Sequence, residues 1–234
     1  MPLIAIEGLD GAGKSTQVQL LANRLRRTLS PEHQDVHVIH FPRLQESQVG
    51  GLLRSFLSGQ LVLPQGLEGI KLLAMLFATD RAESRGQITQ WLDRGEWVLV
   101  DRYYFSNLAY QCAKVPLTQR KELADWIYRL EREVMGIPIP DAALYLDVPL
   151  EFCEHQMAHR RAVQGGQADI HESDRLLLRQ VQLCYAAMAT AYKLERIESF
   201  GHAPSTASAP AALDSPEQVA HRVWGAIERF LHCK

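Results

Sequence analysis

The chain has 234 residues, of which 22% are charged, and its formal net charge is −2. That length can bury a sizeable core, and the near-neutral balance argues against nucleic acid or an acidic membrane surface as a partner addressed by the whole molecule, so any anion binding has to be local. The four cysteines, Cys112, Cys153, Cys184 and Cys233, stand in no CxxC or zinc-type spacing and read as free thiols of a reducing compartment, which makes the cytoplasm the expected location.

In chain order, Leu3–Ile6 reads as a buried strand, a run too short for a signal-peptide core. Gly8-Leu9-Asp10-Gly11-Ala12-Gly13-Lys14-Ser15 follows at once and satisfies GxxxxGK[ST]. Val18, Leu21, Leu25 and Leu29 then repeat as one face of a helix. A phosphate loop needs this strand-to-helix setting. Its glycines let the backbone wrap a phosphate chain, the helix N-terminus points amides at it, the lysine bridges the terminal phosphates and the serine reaches Mg²⁺. ATP binding is therefore expected at Gly8, Gly11, Ala12, Gly13, Lys14, Ser15 and Thr16. Switches and motors share this loop. The Asn/Thr-Lys-x-Asp string of a guanine-specific switch does not occur in the chain.

Val36–His40, Trp97–Val100, Ala142–Leu146 and, less clearly, Leu194–Glu198 are further short apolar runs separated by helical patterns. Strands alternating with helices predict a five-stranded parallel sheet covered on both faces, an α/β fold of three layers, and the whole of 1–234 reads as one domain. The longest uncharged apolar stretch, Leu72–Thr79, is far short of the roughly 18 residues of a membrane span, so no membrane association is expected. A helix over about Glu68–Arg94 carries the stripe Ile70, Leu73, Phe77, Arg81, Ser84, Ile88 and Leu92. An arginine is rarely buried without a partner, so Arg81 on a core face is expected to look into a cavity, and Phe77 one turn earlier supplies an aromatic plate for a base. The alternative is an arginine snorkelling past a core phenylalanine.

Asp101-Arg102 ends the third strand at the sheet edge where α/β proteins bind ligands. Asp101 can orient Mg²⁺ through water and Arg102 can hold a phosphate bidentately, or the two can form a strand-ending salt bridge. Gly165-Gly166 lies in a polar segment between two helical patterns, inside an expected mobile lid of about 160–172. Residues 201–214 are almost wholly Ala, Pro, Ser and Thr apart from the ends, and read as a flexible surface insertion. Pro216 after Asp214-Ser215 starts the last helix. His155 and His159 have the spacing of a zinc pair, but Gln156 replaces the glutamate of HExxH, so no metal is expected there.

Taken together, the P-loop with Thr16, Phe41-Pro42-Arg43, Leu76-Phe77-Ala78-Thr79-Asp80-Arg81, Asp101-Arg102-Tyr103-Tyr104-Phe105-Ser106 with Ala109-Tyr110-Gln111, and Leu146-Asp147-Val148 resemble thymidylate kinase in order and separation. The resemblance covers the chain apart from the loop at 201–214. It implies a P-loop nucleoside monophosphate kinase fold, a homodimer, and transfer of the γ-phosphoryl group of ATP to thymidine monophosphate with Mg²⁺ held near Ser15 and Asp101. Residue by residue, Asp10 would bind the sugar 3′-hydroxyl. Phe77 would stack on thymine and Arg81 would donate to its O4. Tyr110 would pack on the deoxyribose with Gln111 near the base, and Arg102 would hold the acceptor phosphate. Phe41, Arg43 and Phe105 belong to the same matched strings, although the family's phosphate-binding arginine can sit one residue after Arg43, where this chain has Leu44. One branch of the family carries a catalytic arginine at the P-loop position held here by Gly11. In the other branch lid arginines take over, and Arg160 and Arg161 are placed for that. Glu172 falls where the family closes over the acceptor; the alternative is an acid at a helix N-terminus. The rival readings are a deoxynucleoside kinase of the same fold and a non-catalytic nucleotide switch.

Overall fold

The computed structural model describes residues 2–29, 35–164, 170–199 and 214–231. Five strands, β1 (Leu3–Gly8), β2 (Val36–His40), β3 (Trp97–Asp101), β4 (Ala142–Asp147) and β5 (Glu195–Glu198), pair in parallel in the order β2-β3-β1-β4-β5. All six residues of β1 and all five of β3 are buried, as strands covered on both faces must be. Their apolar runs were legible for that reason, whereas the charged residues that complete them, Glu7 and Asp101, look like loop in the sequence.

The chain leaves β1 to one side for β2 and β3 and returns past it to β4 and β5. In register, Ile6 lies beside Asp101 and Gly8 beside Leu146. The carboxyl ends of β1 and β3 therefore open side by side at the point where strand order reverses, which is where such sheets bind ligands.

Eight helices are described: α1 (Lys14–Thr28), α2 (Gly50–Leu57), α3 (Leu67–Asp93), α4 (Tyr104–Cys112), α5 (Leu117–Arg129), α6 (Leu150–Gln164), α7 (Arg175–Ala191) and α8 (Pro216–Ile227). Val18, Leu21 and Leu25 turn α1 onto β1, β2 and β3, and α8 packs beside it. α4 gathers α3, α5 and α7 around itself. The N-terminus of α8 is closed by a reciprocal cap between Ser215 and Gln218 with Pro216 in the first turn. α5 runs into a π-helical turn, Leu130–Val134, that no periodicity announces. The Gly165-Gly166 part of the expected lid and residues 201–213 of the expected insertion lie outside the described residues.

Candidate active site

The loop between β1 and α1 turns through Gly11 at φ +79° and Gly13 at φ +82°, conformations that side chains rarely adopt. At Gly11 the restriction is doubled, because a Cβ there would lie 2.3 Å from the Cys153 carbonyl oxygen in the first turn of α6. This chain thus has a physical reason to lack an arginine at that position. Lys14 is buried at the start of α1, with Nζ donating to the Leu9 carbonyl at 2.6 Å. Burial, then the nearby Arg102 guanidinium, lowers its pKa to about 8 against the opposing pull of Asp10.

Ser15 Oγ donates to Asp101 Oδ2 at 2.5 Å, and His40 Nδ1 stands 3.2 Å from the same oxygen. Burial alone would raise the Asp101 pKa, but the His40 hydrogen bond and the Lys14 charge outweigh it and leave the pKa at about 2. The other oxygen, Oδ1, is buried with no hydrogen-bond partner among the described residues. A hydroxyl and an ionised carboxylate with one uncommitted oxygen, beside a phosphate loop, fit a hydrated Mg²⁺, a cation that keeps several waters and few protein ligands.

Across the mouth of β1, Arg102 takes a left-handed φ of +66°, unusual for a side-chain-bearing residue. The turn is pinned by Arg102 N–H to the Ile6 carbonyl at 3.0 Å and by Tyr103 N–H to Glu7 Oε1 at 2.9 Å. Glu7 also accepts from Ser106 Oγ at 2.6 Å; fully buried, its carboxyl is pushed above the usual range, because burial outweighs these bonds. So fixed, Arg102 donates through Nη2 to Asp10 Oδ1 at 2.6 Å, and Tyr110 donates its hydroxyl to Asp10 Oδ2 at 2.7 Å. Burial works against the Asp10 charge, but Arg102 and Lys14 overcome it and hold the carboxyl well below the ordinary range.

These three residues border a pocket of about 90 Å³ with Phe41, Phe77, Arg81, Asn107, Gln111 and His171. Of the residues proposed from the sequence to handle sugar and phosphate, Arg102 and Tyr110 thus each hydrogen-bond Asp10, one to either carboxylate oxygen. Arg81 reaches the pocket with a partner the sequence reading did not find: Nε donates to Glu131 Oε2 at 3.0 Å and Nη2 to Glu131 Oε1, while Asn107 Nδ2 donates to Oε1 at 2.8 Å. Arginine and glutamate are both buried. Glu131 sits in the π-helical turn, a distortion frequent at functional sites. Fifty residues separate the pair, and only a preference for partnered buried arginines could have hinted at it.

His171 was passed over in the sequence reading. Its Nε2 lies 3.0 Å from Lys114 Nζ and its ring 5.2 Å from that of Tyr110, and burial, then the Lys114 charge, lowers its pKa to about 3. An ammonium only donates, so Nε2 accepts and the proton of the neutral ring is on Nδ1.

The remaining candidates fall elsewhere. Arg43, after the cis Phe41–Pro42 bond, donates through Nη1 to Ser84 Oγ at 2.6 Å and does not border the pocket. Phe105 is buried between Tyr104 and Tyr192, with ring centroids 4.5 and 5.6 Å away, so from the first turn of α4 it points to the C-terminal end of α7, and it does not border the pocket. Glu172 pairs with both arginines expected of the lid, Arg160 and, at 3.7 Å, Arg161.

A second pocket, about 260 Å³, opens on the other side of the P-loop along Gly11, Gly13, Thr16, Gln17, Phe152 and Ser199. The family model described as "Thymidylate kinase" matches residues 6–199. A thymidylate kinase of Mycobacterium tuberculosis is 34% identical over 191 residues, 80% of this chain and 85% of that protein. A probable thymidylate kinase of Pyrococcus abyssi is 30% identical over 197 residues, 83% and 85% of the two chains. The solved thymidylate kinase structure from Candida albicans superposes with a TM-score of 0.71 at 24% identity, covering 98% of this chain and 92% of that one, a likeness of fold.

Proposed function

The chain belongs to the thymidylate kinase family and transfers the γ-phosphoryl group of ATP to thymidine monophosphate, and we propose that it does so across the two pockets on either side of the P-loop. The observation that supports this division most is the Asp10–Arg102–Tyr110 cluster, because it couples a phosphate-loop residue directly to the acceptor pocket.

In the proposed arrangement, the donor phosphates lie along the P-loop amides with Lys14 at their far end. Ser15 and Asp101 would hold Mg²⁺, which when bound neutralises charge on the β- and γ-phosphates. The acceptor base stacks on Phe77 and takes donation from Arg81, its orientation fixed by Glu131 and Asn107. Asp10 accepts from the sugar hydroxyl, Tyr110 packs against the ring and Gln111 lies near the base. Arg102 turns one guanidinium edge to the acceptor phosphate, whose oxygen is itself the nucleophile, so no general base is needed. Alignment and charge neutralisation are what such a transfer requires of a protein. Arg160 and Arg161 would meet the charge developing on the moving group once exchanged from Glu172. Arg43 and Phe105 act only as supports in this reading, and Glu172 as the arginines' partner.

We also propose a homodimer through the exposed Leu72 and Met75 of α3 and Leu52 of α2, which packs on α3, and a cytoplasmic setting. No helix among the described residues is long and apolar enough to cross a membrane. An acceptor panel tests the reading: with ATP, thymidine monophosphate is consumed and thymidine is not. Consumption of thymidine would turn the assignment to a nucleoside kinase.

A further inference from the structure

Two residues that the scheme above leaves unused border the donor pocket and carry buried side-chain oxygens. Gln17 and Ser199 are each only 3% exposed, and both Gln17 Oε1 and Ser199 Oγ lack a hydrogen-bond partner among the described residues. Buried polar atoms without partners are uncommon and costly, so two of them in residues that line one pocket call for an explanation.

Both are held rigidly. Gln17 Nε2 donates one of its two N–H groups to the Pro216 carbonyl at 3.0 Å, which sets the orientation of the amide and leaves Oε1 as its uncommitted acceptor. Ser199 is fastened on both sides of its backbone: its N–H donates to the Asp147 carbonyl at 3.2 Å, and its carbonyl accepts from Asp214 N–H at 3.1 Å. The same pocket is lined by the apolar Val148, Phe152 and Val219, the last from α8, and by Gly13 and Thr16 of the phosphate loop. Apolar walls, a fixed polar edge and a phosphate loop at one end suit the flat base of a nucleoside triphosphate.

We infer that Gln17 and Ser199 read the base of the phosphoryl donor and select adenine over guanine. The inference rests on the reading of this pocket as the ATP site. Gln17 Oε1 can only accept, so it suits the 6-amino group of adenine and opposes the 6-carbonyl of guanine. The Ser199 hydroxyl can rotate, donating to a ring nitrogen of adenine, and so contributes affinity more than discrimination. A site built to hydrogen-bond a substrate group rejects analogues that lack it, because its own buried atom is then left unpaired.

The test uses the full chain with saturating thymidine monophosphate and three donors: ATP, GTP and purine riboside triphosphate, which lacks any 6-substituent. The wild type should prefer ATP to both others by about tenfold or more in kcat/KM. Gln17→Met, which keeps length but removes the acceptor, should bring ATP and purine riboside triphosphate to near equality while KM for thymidine monophosphate stays unchanged. Ser199→Ala should weaken use of ATP and GTP alike. Wild-type indifference between ATP and purine riboside triphosphate overturns the inference, as does a Gln17→Met variant that loses both donors equally, the mark of a packing role. Either result leaves the kinase reading intact, whereas failure to phosphorylate thymidine monophosphate with any donor overturns both.

Discussion

On the acceptor side of the cleft, the charges that border the pocket are matched within the protein: Asp10 with Arg102 and Tyr110, and Arg81 with Glu131. On the donor side, Asp101 Oδ1, Gln17 Oε1 and Ser199 Oγ are buried without partners among the described residues. An acceptor must therefore enter by sharing or displacing bonds already made, and a wrong one leaves those charges unsettled. A donor meets those three oxygens without breaking a bond of theirs, and only Lys14 and Ser15 have bonds, to the Leu9 carbonyl and Asp101, to share or exchange. Selectivity for the acceptor and stability of the fold thus draw on the same residues, whereas on the donor side they are separable.

Several measurements break or sharpen that contrast. The largest effect is expected where the two sides meet. Replacing Arg160 and Arg161 together by alanine should lower kcat by about 10³–10⁵ with acceptor KM nearly unchanged, because the contact forms in the transition state. Near-normal kcat would mean that Lys14 and Arg102 suffice. Next is Glu131→Ala, which strands the Arg81 charge and should destabilise the fold by about 3–5 kcal/mol in urea unfolding. Adding Arg81→Ala to it should recover part of the loss, and strict additivity would show that the two do not act as a pair.

Lys14 gives a smaller, pH-dependent effect with two opposite signs. Only its ammonium form can bridge phosphates, so kcat/KM for ATP should fall about tenfold per unit as pH rises above about 8. Its folded pKa is lowered, so between about 8 and the ordinary lysine value the unfolded chain holds the proton that the folded chain has lost, and stability rises with pH there. A flat ATP profile across pH 7–9 would remove Lys14 from the contact. The smallest change is expected from replacing 201–212 by a short Gly-Ser turn. Asp214 N–H to the Ser199 carbonyl already closes the ends, so turnover and melting should move by less than about 1 kcal/mol equivalent.

What could be read from the sequence follows from how local its cause is. The phosphate loop, the buried strands and α3, expected over 68–94 and found at Leu67–Asp93, depend on neighbours a few residues away. The Arg81 stripe pointed to a cavity, and Arg81 borders one, but its pairing with Glu131 was not foreseen. Glu131 was invisible because its turn follows α5 without a break and its partner lies two helices earlier. Phe105 was misplaced because a matched string records order along the chain, not the direction a side chain takes from a helix. The Lys114–His171 contact likewise joins segments with no pattern in common.

The absent Cβ of Gly11 has a consequence for descent. With the Cys153 carbonyl where a side chain would begin, α6 and the phosphate loop are wedged together, and α6 is also the helix that carries Arg160 and Arg161. Placing an arginine in the loop would first require that helix to withdraw, which would unsettle the two arginines proposed for the lid. A single substitution at position 11 should therefore lose more than it adds, so a loop arginine and the proposed lid arginines are alternatives that this packing does not let one step exchange.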